Sequence, residues 1–301
     1  MVKGIINMKN IVITGGAGFI GSRFAKLCIE KGHNIKIIDK MTYAADVDRL
    51  DDSLGWRNFP FNKLDICDVT TNDIFGYDYI VNFAAETHVD NSITDGKPFI
   101  RSNVEGVFNL IEQSRKIGVK KFIQISTDEV YGDILEGESK ETDSIKPSSY
   151  YSATKASADM LVLSAHRTYG MPYIITRTCN NFGPGQHEEK FVPKIIKCLE
   201  NNLPIPVYTP GTQRREWIHV DDNCQAIYNI MMSDKVNEIY NIGSEDRCTN
   251  LEIISKLDKD NKANIELVED RLGHDTRYAL DSSKYIKHFG NIVTKSFGDM
   301  K

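Results

Sequence analysis

Residues 10–21 read Asn10-Ile11-Val12-Ile13-Thr14-Gly15-Gly16-Ala17-Gly18-Phe19-Ile20-Gly21. Asn10 to Thr14 is a short run of β-branched apolar residues ended by glycines, the pattern of a buried strand. From Phe19 to Lys31 apolar residues recur at helical spacing (Phe19, Ile20, Phe24, Leu27, Cys28), and Gly32 supplies a C-terminal stop. A second apolar run, Ile35 to Ile38, ends at Asp39. The glycines at 15, 18 and 21 thus follow a strand and open a helix. Asp39 closes the next strand at about the separation (~20 residues) expected of a dinucleotide-binding unit. Glycine lets the backbone turn tightly and approach a pyrophosphate, and the helix N-terminus offers unpaired N–H groups. Asp39 can accept hydrogen bonds from ribose hydroxyls and would repel a 2′-phosphate, which favours NAD over NADP. The neighbouring Lys40 tempers that preference. A tight turn with no ligand is the plainer reading, but strand, helix and acid all agree with the cofactor.

The remaining chain extends the alternation. Tyr79 to Phe83 and Lys121 to Ser126 are further buried-strand candidates, with a helix from Pro98 to Ile117 between them. Ser152 to Tyr169 reads as a helix and Tyr173 to Thr176 as a strand. Strand-helix alternation implies an α/β fold: a doubly wound, Rossmann-like parallel sheet with helices on both faces. Past about residue 180, prolines 184, 193, 204, 206 and 210 break the pattern. A helix near Val192 to Asn201 and strands near Ile205 to Tyr208 and Glu238 to Ile242 remain. The expected division is residues 9–180 as the NAD-binding domain and 181–301 as a mainly substrate-binding domain, partly interleaved with the first.

A chain of 301 residues accommodates this arrangement. A net charge of −5 argues against general nucleic-acid binding. No stretch approaches the roughly 20 apolar residues that span a bilayer. Residues 1–7 lack the apolar core of a secretion signal, and Met8 reads as the start after a ragged extension. Cys28, Cys67, Cys179, Cys198, Cys224 and Cys248 show no CxxC spacing, and the seven histidines form no HxxxH pair. Reduced thiols in a cytoplasmic protein without a metal follow.

Two motifs carry chemistry. Tyr151 and Lys155 stand four apart, on one face of a helix. A nearby ammonium favours the phenolate and makes it a base toward a hydroxyl, although a surface pair would look the same. Ser126-Thr127-Asp128-Glu129 lies where the strand from Lys121 ends, and ligands of doubly wound sheets bind at carboxyl ends of strands. A solvated acidic turn is the alternative there.

With these motifs the chain resembles the extended short-chain dehydrogenase/reductase superfamily, and within it the dTDP-glucose 4,6-dehydratases. The matching stretches are DKMTYA at 39–44, AAETHVD at 84–90, STDEVYG at 126–132 and YSATKAS at 151–157. NNFGP at 180–184, EK at 189–190, GTQRREW at 211–217, YNIG at 240–243 and RLGHD at 271–275 follow. The likeness spans about residues 9–290. Thr127-Asp128-Glu129 is its most specific element, since sugar epimerases of the superfamily lack the paired acids.

The resemblance implies that Tyr151, aided by Lys155 and Thr127, takes the proton of a sugar 4-hydroxyl while NAD accepts hydride from C4. Glu129 then removes the acidified C5 proton, Asp128 protonates the leaving 6-hydroxyl, and hydride returns to C6. It implies cofactor contacts from Gly15, Gly18, Phe19, Ile20, Gly21, Asp39, Lys40, Thr42, Asp65, Ile66, Ala84, Ala85, Glu86, Ser102 and Asn180, besides Tyr151 and Lys155. It assigns Thr87, Asn181, Glu189, Lys190, Arg215, Asn241, Arg271, His274 and Asp275 to a nucleotide-diphospho-hexose. It also implies a homodimer through the helices near 98–117 and 152–169. The sequence departs from the family at Gly185-Gln186-His187-Glu188, at Arg214 and Glu216, and in a short tail after His288 with no closing helix. These departures leave open the base and the sugar. A dehydratase that stops at a 5,6-alkene, a 4-epimerase, a decarboxylase and a non-catalytic NAD binder are the competing readings; the paired acids argue against epimerase and decarboxylase.

Overall fold

The computed structural model describes residues 8–50 and 58–299; the expected extension at residues 1–7 lies outside them. Strand β1 (Asn10–Thr14) passes through the glycine turn into α1 (Phe19–Glu30), and β2 (Asn34–Asp39), β3 (Phe61–Lys63), α2 (Thr71–Ile74) and β4 (Tyr79–Asn82) follow. After α3 (Val89–Thr94), α4 (Lys97–Ile100), a π-helical stretch at Arg101–Gly106 and α5 (Val107–Ile117) run on without a break. β5 (Lys121–Thr127) ends in a 3-10 turn at Asp128–Tyr131. Then come α6 (Tyr150–Tyr169), β6 (Tyr173–Thr178), β7 (Asn180–Phe182), α7 (Phe191–Glu200), β8 (Ile205–Tyr208) and β9 (Arg214–His219). The chain finishes with α8 (Val220–Met232), β10 (Glu238–Ile242), β11 (Arg247–Thr249), α9 (Asn250–Leu257), β12 (Ile265–Val268) and α10 (Ser283–Phe289).

Seven strands make one parallel sheet in the order β10-β6-β5-β4-β1-β2-β3. The order reverses beside β1, whose neighbours are β2 and β4, and that reversal opens a crevice at the strands' carboxyl ends. All residues of β5 and β6 are buried, polar ones included, so these strands show no alternation of buried and exposed positions. Ile11 and Ile13 face one core with Phe24 and Cys28 of α1 and Ile227 and Ile230 of α8. Val12, Ile80 and Phe122 face the other, with Leu110 of α5 and Val162 of α6.

The later half does not stay apart. β10 pairs with β6, and α8 packs on α1. A three-stranded sheet (β11-β9-β7) and the pair β12-β8 draw their strands from both sides of β10 in sequence. They enclose a third core around Phe182, Val192, Trp217 and Ile253. The tail after α10 is extended rather than helical up to a last 3-10 turn at Phe297–Asp299. Asp222 Oδ2 accepts from the amides of Thr294 and Lys295, both at 2.9 Å, and Phe297 stacks on Phe182 with ring centroids 4.1 Å apart.

The helix expected over 98–117 is interrupted by the π stretch, for a packing reason. Ser102, Asn103 and Gly106 are all buried there. A Cβ on Gly106 would lie 2.7 Å from Ile66, so only glycine lets this turn settle. Asn103 joins its neighbours: its Oδ1 accepts from Glu86 N at 2.8 Å, and its Nδ2 donates to Glu86 O and Thr154 Oγ1.

Arg177 of β6 is 1% exposed. Its Nε donates to Asp159 Oδ2 of α6 at 3.0 Å and its Nη1 to the Tyr131 hydroxyl at 2.9 Å. Asp159→Asn would leave a buried guanidinium without its counter-charge, at a cost of about 3–5 kcal/mol. The urea midpoint should fall accordingly with an unchanged slope; a loss under about 1 kcal/mol would mean the pair adds no more than a surface bridge.

Candidate active site

A cavity of about 550 Å³ starts at the glycine turn and continues to the far side of the third core. Gly15 adopts φ +67°, and a Cβ there would lie 2.6 Å from Ala84 N. A Cβ on Gly21 would lie 2.2 Å from the Gly15 carbonyl. The bare backbone therefore brings the start of α1 against the end of β1, and no side chain caps that helix end. Its first N–H groups remain available to a pyrophosphate. Asp39 is fixed at the end of β2, with Oδ2 accepting from Ala17 N at 3.0 Å and Oδ1 from Met41 N at 2.8 Å. Gly18, Phe19, Ile20, Lys40, Thr42, Asp65, Ile66, Ala84, Ala85, Ser102 and Asn180 line the same end. These residues fit an adenine dinucleotide.

The reactive side chains meet further along. Ser149 caps α6, accepting from Ser152 N at 3.1 Å, while Ser152 Oγ accepts from Ser149 N at 3.0 Å. This box starts the helix so that Tyr151 lies in its first turn and Lys155 one turn on, and both line the cavity. Thr127 ends β5; its hydroxyl donates to Asp128 Oδ1 at 3.1 Å and accepts from Glu129 N at 3.3 Å. Thr127 and Glu129 face the cavity, whereas Asp128 lies behind them, 2% exposed. Asp128 Oδ2 is buried with no partner.

Electrostatics follow from burial. Burial, with the charge of Glu129 beside it, holds the Asp128 carboxyl well above the ordinary carboxylate range. Burial also raises Glu129, against the opposing charges of Arg215, Arg271 and Lys190. Burial pushes Lys155 down to about 8, opposed by Asp159. Tyr151 differs from the sequence expectation. Lys155 Nζ donates to the Ile125 carbonyl at 2.5 Å, and burial plus the charge of Glu129 raise the phenol; the hydroxyls of Thr87 and Thr127 act in the opposite sense.

On the substrate side, Thr87, Asn181, Glu189, Lys190, Arg215, Arg271 and His274 reach the cavity. Arg215 is pre-positioned: Nη2 donates to Asp275 O at 2.7 Å, Nη1 to Arg214 O at 3.0 Å, and the guanidinium lies over the Tyr278 ring at 4.4 Å. Arg271 Nη1 donates to Asp90 Oδ1 at 3.0 Å, and Lys190 Nζ to Thr87 O at 2.6 Å. Arg214 turns outward to Glu252. Glu216 is buried and accepts from the amides of Ser244, Glu245 and Leu280 and from Arg247. A Cβ on Gly243 would lie 2.0 Å from Glu216 Oε1, so the longer acid is matched by that glycine.

Three other expected ligands stand off the cavity wall. Asn241 is fully buried, its Oδ1 accepting from the Tyr131 hydroxyl at 2.7 Å and its Nδ2 donating to Ser139 O at 2.8 Å. Its amide is consumed inside the core, so it braces the acid turn instead of touching a sugar. The Asp275 carboxylate accepts from the hydroxyls of Ser148 and Tyr278 and acts through the Arg215–Tyr278 stack. Glu86 turns to Lys40. Conversely, sequence reasoning missed Tyr278 and Tyr208, which line the cavity. It also gave no role to Asp90, whose Oδ2 accepts from the Tyr208 hydroxyl at 3.1 Å. Asp90 lay within a quoted motif, but Tyr208 carried no signal.

The model of the NAD dependent epimerase/dehydratase family matches residues 11–243. The low-salt glycan biosynthesis protein Agl12 of Haloferax volcanii is 44% identical, over 91% of this chain and 91% of its own. A dTDP-glucose 4,6-dehydratase of Streptomyces niveus is 39% identical, over 96% and 89%. Among solved structures, DesIV, a dTDP-glucose 4,6-dehydratase from Streptomyces venezuelae with NAD and TYD bound, superposes with a TM-score of 0.93 at 37% identity, over 97% of this chain and 94% of that one. With the glycine cradle, Tyr151, Lys155 and the acid turn on one cavity, the chain belongs to the NAD dependent epimerase/dehydratase family.

Proposed function

We propose that the protein is an NAD-dependent nucleotide-sugar 4,6-dehydratase, a hydro-lyase converting a nucleotide-diphospho-hexose of the dTDP-glucose type to its 4-keto-6-deoxy form. One observation carries the reading: Glu129 shares a cavity with Thr127, Tyr151 and Lys155, continuous with the glycine cradle, and its paired acid Asp128 lies directly behind, hydrogen-bonded to Thr127. Held by the glycine cradle and Asp39, a nicotinamide dinucleotide would supply the hydride chemistry, taking one from C4 and giving one to C6. Tyr151 takes the 4-hydroxyl proton, with Thr127 orienting that hydroxyl and Lys155 stabilising the phenolate. The resulting ketone acidifies C5. Glu129 removes the C5 proton, and Asp128 protonates the departing 6-hydroxyl, releasing water. Glu129 then returns a proton to C5. Burial favours the protonated form of Asp128, which suits an acid, while three cations bias Glu129 toward ionisation. Arg215, Arg271 and Lys190 suit the diphosphate, since guanidinium grips phosphate oxygens in pairs.

Incubation with nucleotide hexoses in deuterated water should give loss of one water and deuterium at C5, without net consumption of NAD. Simple epimerisation, loss of carbon dioxide or no reaction with dTDP-, UDP-, CDP- or GDP-hexoses would overturn the reading. Glu129→Gln should still reduce bound NAD in part while elimination falls roughly 10²–10⁴-fold; full activity would remove Glu129 as the C5 base.

Asp128 also links to stability. An acid whose folded pKa is raised favours the fold fully below the ordinary carboxylate value of about 4, and that contribution is lost as pH rises above it. Asn at 128 escapes the loss. Asp128→Asn should therefore melt above the native protein near neutral pH, the advantage fading toward about pH 4, with dehydration lost. A lower melting temperature at neutral pH would count against a buried, proton-holding Asp128.

We further infer a cytoplasmic homodimer. The six cysteines are free, and no helix among the described residues is long and apolar enough to cross a membrane. Ile100, Phe108, Met160 and Tyr169 expose 45–59% of their surface along the α4–α5 and α6 helices, the apolar face a helical pairing needs. Sedimentation velocity should give a dimer that Phe108→Glu shifts toward monomer; a native monomer would exclude it.

A further inference from the structure

Lys40 follows directly on the acid that would read the adenosine ribose. A free ammonium there would attract a 2′-phosphate, and NADP would bind. The ammonium is not free. Lys40 Nζ donates to Glu86 Oε1 and to Ser102 Oγ, both at 2.7 Å. The two charged side chains are 30% and 17% exposed, so the pair is only partly screened by water. Lys40 and Ser102 belong to the cavity wall, whereas Glu86 reaches Lys40 from behind it.

Glu86 is itself fixed, and by its main chain. Its N–H and C=O are both held by the Asn103 side chain, at 2.8 and 3.1 Å. Ser102 and Asn103 are consecutive residues of the π-helical stretch. One holds Lys40, and the other holds the residue that pairs with it. Asp39 stays at the end of β2 through the amides of Ala17 and Met41. A 2′-hydroxyl meets an acceptor in Asp39. A 2′-phosphate, carrying about −1.5 to −2 charges, meets two carboxylates and one ammonium already paired with one of them.

We propose that Glu86 determines cofactor choice: by pairing with Lys40 it withholds that ammonium from a 2′-phosphate and so excludes NADP. The proposal rests on the NAD-dependent reading above. It resolves the ambiguity that the Asp39-Lys40 dipeptide leaves, because the deciding carboxylate comes from the loop after β4.

The test is competitive uptake. Purified protein is equilibrated with mixtures of NAD⁺ and NADP⁺, separated from free nucleotide and denatured, and the released dinucleotides are quantified by chromatography. Binding titration of each cofactor supplies the separate affinities. Glu86→Gln keeps the shape and the main-chain bonds to Asn103 while removing the charge. It should lower the NAD⁺:NADP⁺ preference about tenfold or more, through tighter NADP⁺ binding. Glu86→Ala should do the same. Adding Lys40→Ala to Glu86→Gln should abolish the gain. An unchanged preference in both Glu86 variants, or a gain that survives Lys40→Ala, overturns the proposal alone. A native protein that takes up neither dinucleotide overturns the dehydratase reading with it.

Discussion

The site depends on one buried charge. Arg177 lies inside the sheet layer, and a guanidinium there costs several kcal/mol unless its hydrogens find partners. It finds Asp159 on α6 and Tyr131 in the turn after β5. These two elements carry the chemistry: Lys155 is one helical turn before Asp159, and Glu129 is two residues before Tyr131. The ion pair is weak evidence of stability but strong evidence of position. It fixes the angle between the helix that presents the phenol and the turn that presents the acids.

The same low dielectric sorts the groups that it holds. Asp128 is fully buried with one threonine hydroxyl for a partner and Glu129 beside it, so its charged form is penalised. Glu129, one residue on, looks toward Arg215, Arg271 and Lys190. Two adjacent carboxyls are thus driven apart by what lies on either side of a single peptide. Arg215 supplies its field from a fixed place because backbone carbonyls and the Tyr278 face hold it before any phosphate arrives.

What the sequence revealed was local. The strand, glycine turn, helix and closing acid lie within thirty or so consecutive residues, and each follows from short-range sterics. Tyr151 and Lys155 share a helix face by spacing alone. What the pattern left unread concerns residues whose partners are distant in sequence. Asn241, Asp275 and Glu86 are polar and motif-bound, yet nothing in a one-dimensional pattern says that an amide is consumed by Tyr131 or that Glu86 faces Lys40. Tyr208 lines the site from β8, opposite Val268 of β12. The π stretch was invisible because apolar periodicity averages over one widened turn. The short strands β7, β9 and β11 were missed because RREWIH and its neighbours mix buried charges with apolar residues, of which Glu216 pairs across the sheet with Arg247.

The return of the chain to its first sheet has a consequence for how the molecule assembles. β6 and β10 lie side by side, about 60 residues apart in sequence, with β7, α7, β8, β9 and α8 between them. Loop closure of that length is slow and non-local, and the small sheets in turn need β11 and β12 from beyond β10. The two lobes consequently form one cooperative unit and not two modules. A fragment ending near residue 180 would carry β6 as a bare, unpaired edge and leave α1 without the cover of α8, the form of a chain that aggregates instead of folding.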